Sequence, residues 1–139
     1  GRQEIKRQLK QQWVFDTGNP VFNPDRSQPR PYPRQDAWAF YQALKPHIAH
    51  VHIKDGSWDN SQSECTFTMP GEGQGDVLRI LSDLSRNDYQ GFISIEPHVA
   101  TIFHDTSQSD DDPEKKSKEQ FESYVEYGHR LSELVNQCT

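Results

Sequence analysis

His47-Ile48-Ala49-His50-Val51-His52-Ile53-Lys54 is the stretch on which the fold turns. Ala49, Val51 and Ile53 alternate with His50, His52 and Lys54, as in a strand with one apolar and one polar face. Pro46 belongs to the segment before it and Asp55-Gly56 follows at once, so turn-forming residues bound it on both sides. Two other short runs repeat the pattern. In Trp13-Val14-Phe15-Asp16, Trp13 and Phe15 oppose Val14 and Asp16; in Phe92-Ile93-Ser94-Ile95-Glu96, Ile93 and Ile95 oppose Phe92, Ser94 and Glu96. Each run has one wholly apolar face, suited to contact with helices. The other face is mixed and turns polar towards the carboxyl end.

Between these runs the apolar spacing changes from two to helical. Asp36 is placed to cap a helix bearing Ala37, Phe40, Tyr41 and Leu44, which Pro46 ends. Asp76 is expected to cap a second, with Val77, Ile80, Leu81 and Leu84 on one face. Pro113 suits the first turn of a third, in which Phe121, Tyr124, Val125, Gly128, Leu131, Leu134 and Val135 form a continuous buried stripe. Residues 4–11 read as the tail of a helix preceding the first strand. Residues 19–35, with Pro20, Pro24, Pro29, Pro31 and Pro33, read as a long irregular loop. A polar loop holding Gly71-Glu72-Gly73 is expected through Gly75, and an acidic, solvated one ends at Asp110-Asp111-Asp112.

Strands alternating with helices imply βαβ units and a parallel sheet. Asp16 and His52 are 36 residues apart, and His52 and Glu96 are 44 apart. A closed (β/α)8 barrel of ~250 residues averages roughly 31 per unit, so these spacings fit units with long loops at the catalytic face. Three such units account for 139 residues, which is too short for a closed barrel.

Composition narrows the function. Hydrophobic residues make up 32% and the aromatic share is 11%, which together describe a polar chain that still holds a core. The mean hydropathy of −0.98 agrees. A net charge of −6 disfavours nucleic acid and anionic membrane as the main partners, and would make any anion site a local one. No apolar stretch approaches the ~20 residues that cross a bilayer. With no signal peptide in view, the cytoplasm is the expected compartment. Cys65 and Cys138 match no metal or redox spacing and read as free thiols. The opening Gly1, without an initiator Met, reads as the start of an excised or trimmed segment.

The chemistry-bearing residues sit where parallel α/β folds place their active sites, at the carboxyl ends of the strands. Asp16, His52 and Glu96 each close one of the runs, and two carboxylates with an imidazole suit a divalent cation. Each has a plainer reading. Asp16 opens Asp16-Thr17-Gly18-Asn19, which is equally fit for a turn. His52 alone would pass for a satisfied core histidine. Glu96 is the hardest to explain without function, because a carboxylate ending a buried run is costly unless paired or metal-bound. His50, one layer deeper, would orient His52 or fill the interior. Lys54 suits a substrate oxygen or phosphate, or a salt bridge to a neighbouring carboxylate. Asn19 could bond a substrate hydroxyl or merely cap its loop. Glu72 is a weak signal on a flexible loop, and His98 would line the pocket mouth.

The chain resembles the carboxyl-terminal portion of the sugar phosphate isomerase/epimerase superfamily, the xylose isomerase-like TIM barrels. The resemblance is carried by Val14-Phe15-Asp16-Thr17-Gly18-Asn19, His50-Val51-His52-Ile53-Lys54-Asp55, Pro70-Gly71-Glu72-Gly73 and Tyr89-Gln90-Gly91-Phe92-Ile93-Ser94-Ile95-Glu96-Pro97-His98, in that order. It implies an α/β fold, a partial (β/α)8 TIM barrel of about three parallel strands (β6–β8) with their outer helices, residues 1–139 forming one partial domain. It implies a divalent metal cation (Mn2+, Mg2+, Co2+ or Zn2+) held by Glu, Asp, His and Glu, the last three of which fall on Asp16, His52 and Glu96. The first glutamate, and a second acid/base glutamate of several members, have no match here. Asn19 stands where many members have His. The related endonuclease IV branch needs further His ligands and a basic DNA-facing loop; Lys54-Asp55 after the strand and the acidic balance disfavour that branch.

The implied activity is isomerisation or epimerisation of a sugar or sugar phosphate. Metal-bound oxygens would acidify a C–H bond, and Glu96 would move the proton through an enediolate. Asn19, Lys54, Glu72 and His98 are the expected substrate contacts. Dehydration of a keto-polyol of the inosose type would use the same enolate. The competing expectation is a half-barrel without catalysis that self-assembles. A three-stranded sheet has bare edges and an uncovered face, so a homo-oligomer, or pairing with a missing amino-terminal half, is expected.

Overall fold

The computed structural model describes residues 12–98 and 112–139. In chain order its elements are β1 (Trp13–Asp16), α1 (Asn19–Phe22), α2 (Ala37–Leu44), a 3-10 turn (Lys45–His47), β2 (Ile48–Ile53), β3 (Asp55–Asp59), β4 (Glu64–Thr68), α3 (Val77–Arg86), β5 (Phe92–Ile95) and α4 (Pro113–Cys138). The helix tail expected at 4–11, and Asp110 and Asp111 of the acidic loop, lie outside the described residues.

Three strands form a parallel sheet in the order β1-β2-β5. The register sets Asp16 opposite His52 and His52 opposite Ser94, while Ile53 faces Ile95. Both ladders run one step past the strands: Thr17 N–H donates to the His52 carbonyl at 3.1 Å, and Glu96 N–H to that of Ile53 at 3.0 Å. The carboxyl ends are thereby level with one another.

The face carrying Phe15, Val51 and Ile53 packs on Tyr41 of α2, on Val77, Ile80, Leu81 and Leu84 of α3, and on Tyr127 and Leu134 of α4. Alternation thus placed the helix-facing side correctly. At the amino ends it does not suffice: Trp13 and Ile93 share that parity yet stay exposed. The opposite face is open, with Val14 58% and Phe92 78% exposed.

Asp36 caps α2 as its position implies, accepting the Ala39 N–H. Asp112 does the same for α4 with the Glu114 N–H, ahead of Pro113. Asp76 departs from expectation. It precedes α3 in the left-handed conformation, φ 53°, and its side chain makes no capping bond. Asp tolerates that conformation, and the chain's entry into α3 is set one residue earlier, where Gly75 N–H is tied to Asp55.

Three further expectations are corrected. Residues 19–35 are not wholly irregular: Pro20 opens the one-turn α1, where its missing N–H leaves nothing unpaired, and an antiparallel bridge joins Pro24 to Arg34. The stretch up to Gly75 contains the antiparallel hairpin β3-β4. Its turn is held by Asp59, whose Oδ1 accepts from both the N–H and the hydroxyl of Ser61. The stripe of α4 is buried only in the second half of the helix, at Tyr127 and Leu134 with Leu131 and Val135 alongside. Phe121, Tyr124 and Val125 are exposed. A helix of 26 residues is roughly 39 Å long, whereas four-residue strands span about 13 Å, so its first turns overshoot the sheet. Among the described residues no helix is long and apolar enough to cross a membrane.

Candidate metal centre

Asp16 ends β1 and is nearly buried, at 8% exposure. Its Oδ1 accepts the N–H groups of Gly18 at 2.9 Å and Asn19 at 3.0 Å, so it forms a turn and still presents Oδ2. Thr17, fully buried, clamps β1 to β2: its hydroxyl donates to the Lys54 carbonyl at 2.6 Å and accepts the Lys54 N–H at 3.0 Å. This clamp fixes the rim from which the polar side chains rise.

Asp16, His52 and Glu96 each offer one ligand atom, and the three atoms lie within 4.8 Å of one another. His52 Nδ1 is 2.9 Å from Glu96 Oε2, with the ring donating because a carboxylate only accepts. The Lys54 ammonium is 3.0 Å from Asp16 Oδ2 and 3.5 Å from Glu96 Oε1. His98 Nε2 lies 3.4 Å from the same Glu96 oxygen.

Electrostatics separate the two carboxylates. Burial raises the pKa of Asp16; Lys54 opposes the rise and the nearby Glu96 adds to it. Glu96 is pushed the other way, to about 2, first by the hydrogen bond from His52 and then, against a smaller cost of burial, by Asp16, Lys54 and His98. It is ionised at any ordinary pH.

The donor set fits a divalent cation. Two carboxylate oxygens and an imidazole nitrogen match the preferences of Mn2+, Mg2+, Co2+ or Zn2+. Ligand atoms around one ion, at bonds of roughly 2.0–2.3 Å, stand about 3–4.5 Å apart, so small side-chain adjustments close the site. An ammonium between the two carboxylates shows that the position favours positive charge.

The remaining candidates divide. Lys54 and His98 stand at the cluster. Asn19 is exposed and reaches it only through its backbone N–H on Asp16. Glu72 is exposed and is not among the converging ligand atoms. His50 lies below, its Nε2 2.8 Å from Ser94 Oγ and its ring edge-on to His52 at 4.8 Å.

Sequence reasoning passed over three features. Thr17 is the clamp. Asp55 secures the glycine loop through its carboxylate, and Gly71, Gly73 and Gly75 at every second position were the available signal. Phe67 of the hairpin stacks on His98 at 4.8 Å, and Phe22 meets Phe67 edge-on at 5.0 Å, giving the cluster an aromatic wall. The alternation Cys65-Thr66-Phe67-Thr68 after a run of turn formers was the hint of that hairpin.

A family model described as a xylose isomerase-like TIM barrel matches residues 10–131. No curated protein and no solved structure matches the chain at a significant level.

Proposed function

The chain belongs to the xylose isomerase-like TIM barrel family, and on that premise we propose that it supplies the metal-holding strands, the sixth to eighth of the barrel, of a sugar or sugar phosphate isomerase or epimerase. One observation carries this reading. Three ligand atoms from the carboxyl ends of three adjacent parallel strands converge within 4.8 Å. Scattered surface carboxylates have no reason to share one rim with an imidazole between them.

A divalent cation held by Asp16, His52 and Glu96 would supply the charge that stabilises an enediolate. The chain's own residues do the rest. Glu96 is the proposed proton carrier at the carbon beside the sugar carbonyl. A pKa of about 2 makes it a poor base as it stands, and the first cause is the His52 hydrogen bond. Lys54 and His98, both within reach of the same carboxylate, are placed to meet substrate oxygens. Phe67, stacked on His98, offers an apolar surface for the C–H face of a sugar. Asn19, at the start of α1, and Glu72, on the glycine loop, are proposed as further contacts around the rim. Keto-polyol dehydration would draw on the same groups.

A second reading is favoured by one observation. Only three ligand atoms converge among the described residues, with no further carboxylate to act as the opposing acid or base. On that reading the chain is a non-catalytic half-barrel that assembles with itself or another chain.

Calorimetric titration with Mn2+ tests the site. One ion per chain is expected. Because even outer partners of a metal cost 10–100-fold, Asp16→Ala, His52→Ala and Glu96→Ala should each weaken binding by at least about a hundredfold. Binding that survives all three substitutions would refute the assignment.

A further inference from the structure

Lys54 is unusual among lysines in being only 7% exposed. It is held at both ends. The Thr17 hydroxyl fixes its backbone on two sides. Its stem crosses Gly18, where a Cβ would lie 2.9 Å from Lys54 Cγ and 3.1 Å from Cε. Gly18 has φ −84° and ψ −27°, which any residue adopts, so this glycine serves the close approach of the lysine and not the turn. The ammonium is thereby aimed between Asp16 Oδ2 and Glu96 Oε1, the carboxylates of the converging group.

We propose that Lys54 is the resident cation of this centre: its ammonium balances and positions Asp16 and Glu96 while no ion is bound, and a divalent ion must displace it to enter. The inference rests on the metal reading above and adds to it. Two cations cannot share one pair of carboxylates without strong repulsion at these distances. A lysine suits the exchange, being a compact charge on a flexible four-carbon stem that can withdraw, where an arginine fork would stay locked. Metal uptake is then the replacement of one cation by another, and affinity is held below what the three ligands alone would give. The same step frees the ammonium for a substrate oxygen only once the site is loaded.

The test compares the full chain with Lys54→Met and Lys54→Gln, using calorimetric titration with Mn2+ and thermal unfolding of the metal-free proteins, with circular dichroism to confirm folding. Both variants should bind Mn2+ at least about tenfold more tightly than the unaltered chain. Metal-free, both should melt at a lower temperature, because Asp16 and Glu96 lose their counter-charge, and should gain more on saturation. Lys54→Gln, which keeps a polar head, carries the comparison if Lys54→Met does not fold. Binding by the variants alone, with none in the unaltered chain, would also support displacement. Equal or weaker binding in the variants, beside normal binding in the unaltered chain, would overturn this inference and leave the metal reading standing. Absence of binding in all three would bring down both.

Discussion

Asp55 follows Lys54 directly yet has a different task, as alternation along an extended chain permits. Its carboxylate accepts N–H groups from Gly56 at 2.8 Å, Gly71 at 2.9 Å, Gly73 at 3.1 Å and Gly75 at 2.9 Å. No side chain fits at Gly73, where a Cβ would run into Asp55 Oδ1 and the Gly56 backbone. The loop carrying Glu72 is therefore wound around one buried anion. Asp55→Asn would set an amide NH2 against some of these donors, and leaving buried N–H groups unpaired costs about 1–3 kcal/mol. Urea denaturation should show that loss, with faster amide exchange concentrated at Gly71, Gly73 and Gly75. An unchanged midpoint with the loop still protected would refute it. The contrast with the metal candidates is instructive. Asp16, His52 and Glu96 could be read because period-two alternation and a strand's end are local features. Asp55 was harder to read, because these partners are backbone N–H groups 16 to 20 residues away, and only the alternation of Gly71, Gly73 and Gly75 pointed to them.

At the scale of elements, α2 and α3 are joined through one carboxylate. Tyr41, fully buried, donates its hydroxyl to Asp83 Oδ2 at 2.8 Å, and Lys45 sits 2.6 Å from the same oxygen. Burial pushes the Asp83 pKa up, but the bonds from Lys45 and Tyr41 outweigh it and hold the group below its ordinary value. A carboxylate with a depressed folded pKa adds stability that is full above the unfolded value, near 3.8, and is lost as pH falls through the lower folded value. Tyr41→Phe should cost about 2 kcal/mol at neutral pH, the range for a hydrogen bond to a charged group. The gap between Tyr41→Phe and the unaltered chain should narrow below about pH 4, as measured by urea unfolding across pH; a constant gap would count against the linkage. The existence of α2, α3 and α4 was legible from apolar spacing, whereas α1 and the uncapped start of α3 were not. Nor was helix context. Nothing in the periodicity of α4 says where the sheet beneath it stops, so Phe121, Tyr124 and Val125 were assigned to a core that ends short of them. The hairpin escaped for a related reason: its strands are short and polar, and the ring contacts of Phe67 are with Phe22 and His98, in distant segments.

For the whole molecule the open face of the sheet matters most. Parallel sheets are normally covered on both sides. Here the helices cover one, and the other presents Val14, His50 and Phe92, with Trp13 and Ile93 exposed nearby. Alternation revealed which face is apolar but not what lies across from it, since that depends on strands a three-strand register cannot supply. The physics of the face still leads to an expectation. Phe92, at 78% exposure, contributes little to the stability of a lone chain but sits where any partner would bury it. The chain should therefore associate through this face, and sedimentation velocity should show a mass that rises with concentration. Phe92→Lys should shift the distribution towards the single chain, because a charge placed on an apolar contact is costly to desolvate. Its effect on unfolding of the dissociated chain should stay within about 0.5 kcal/mol, as for an exposed site. A single-chain mass at every concentration would mean that the open face needs no cover. Dissociation accompanied by a large loss of chain stability would mean instead that Phe92 supports the fold itself.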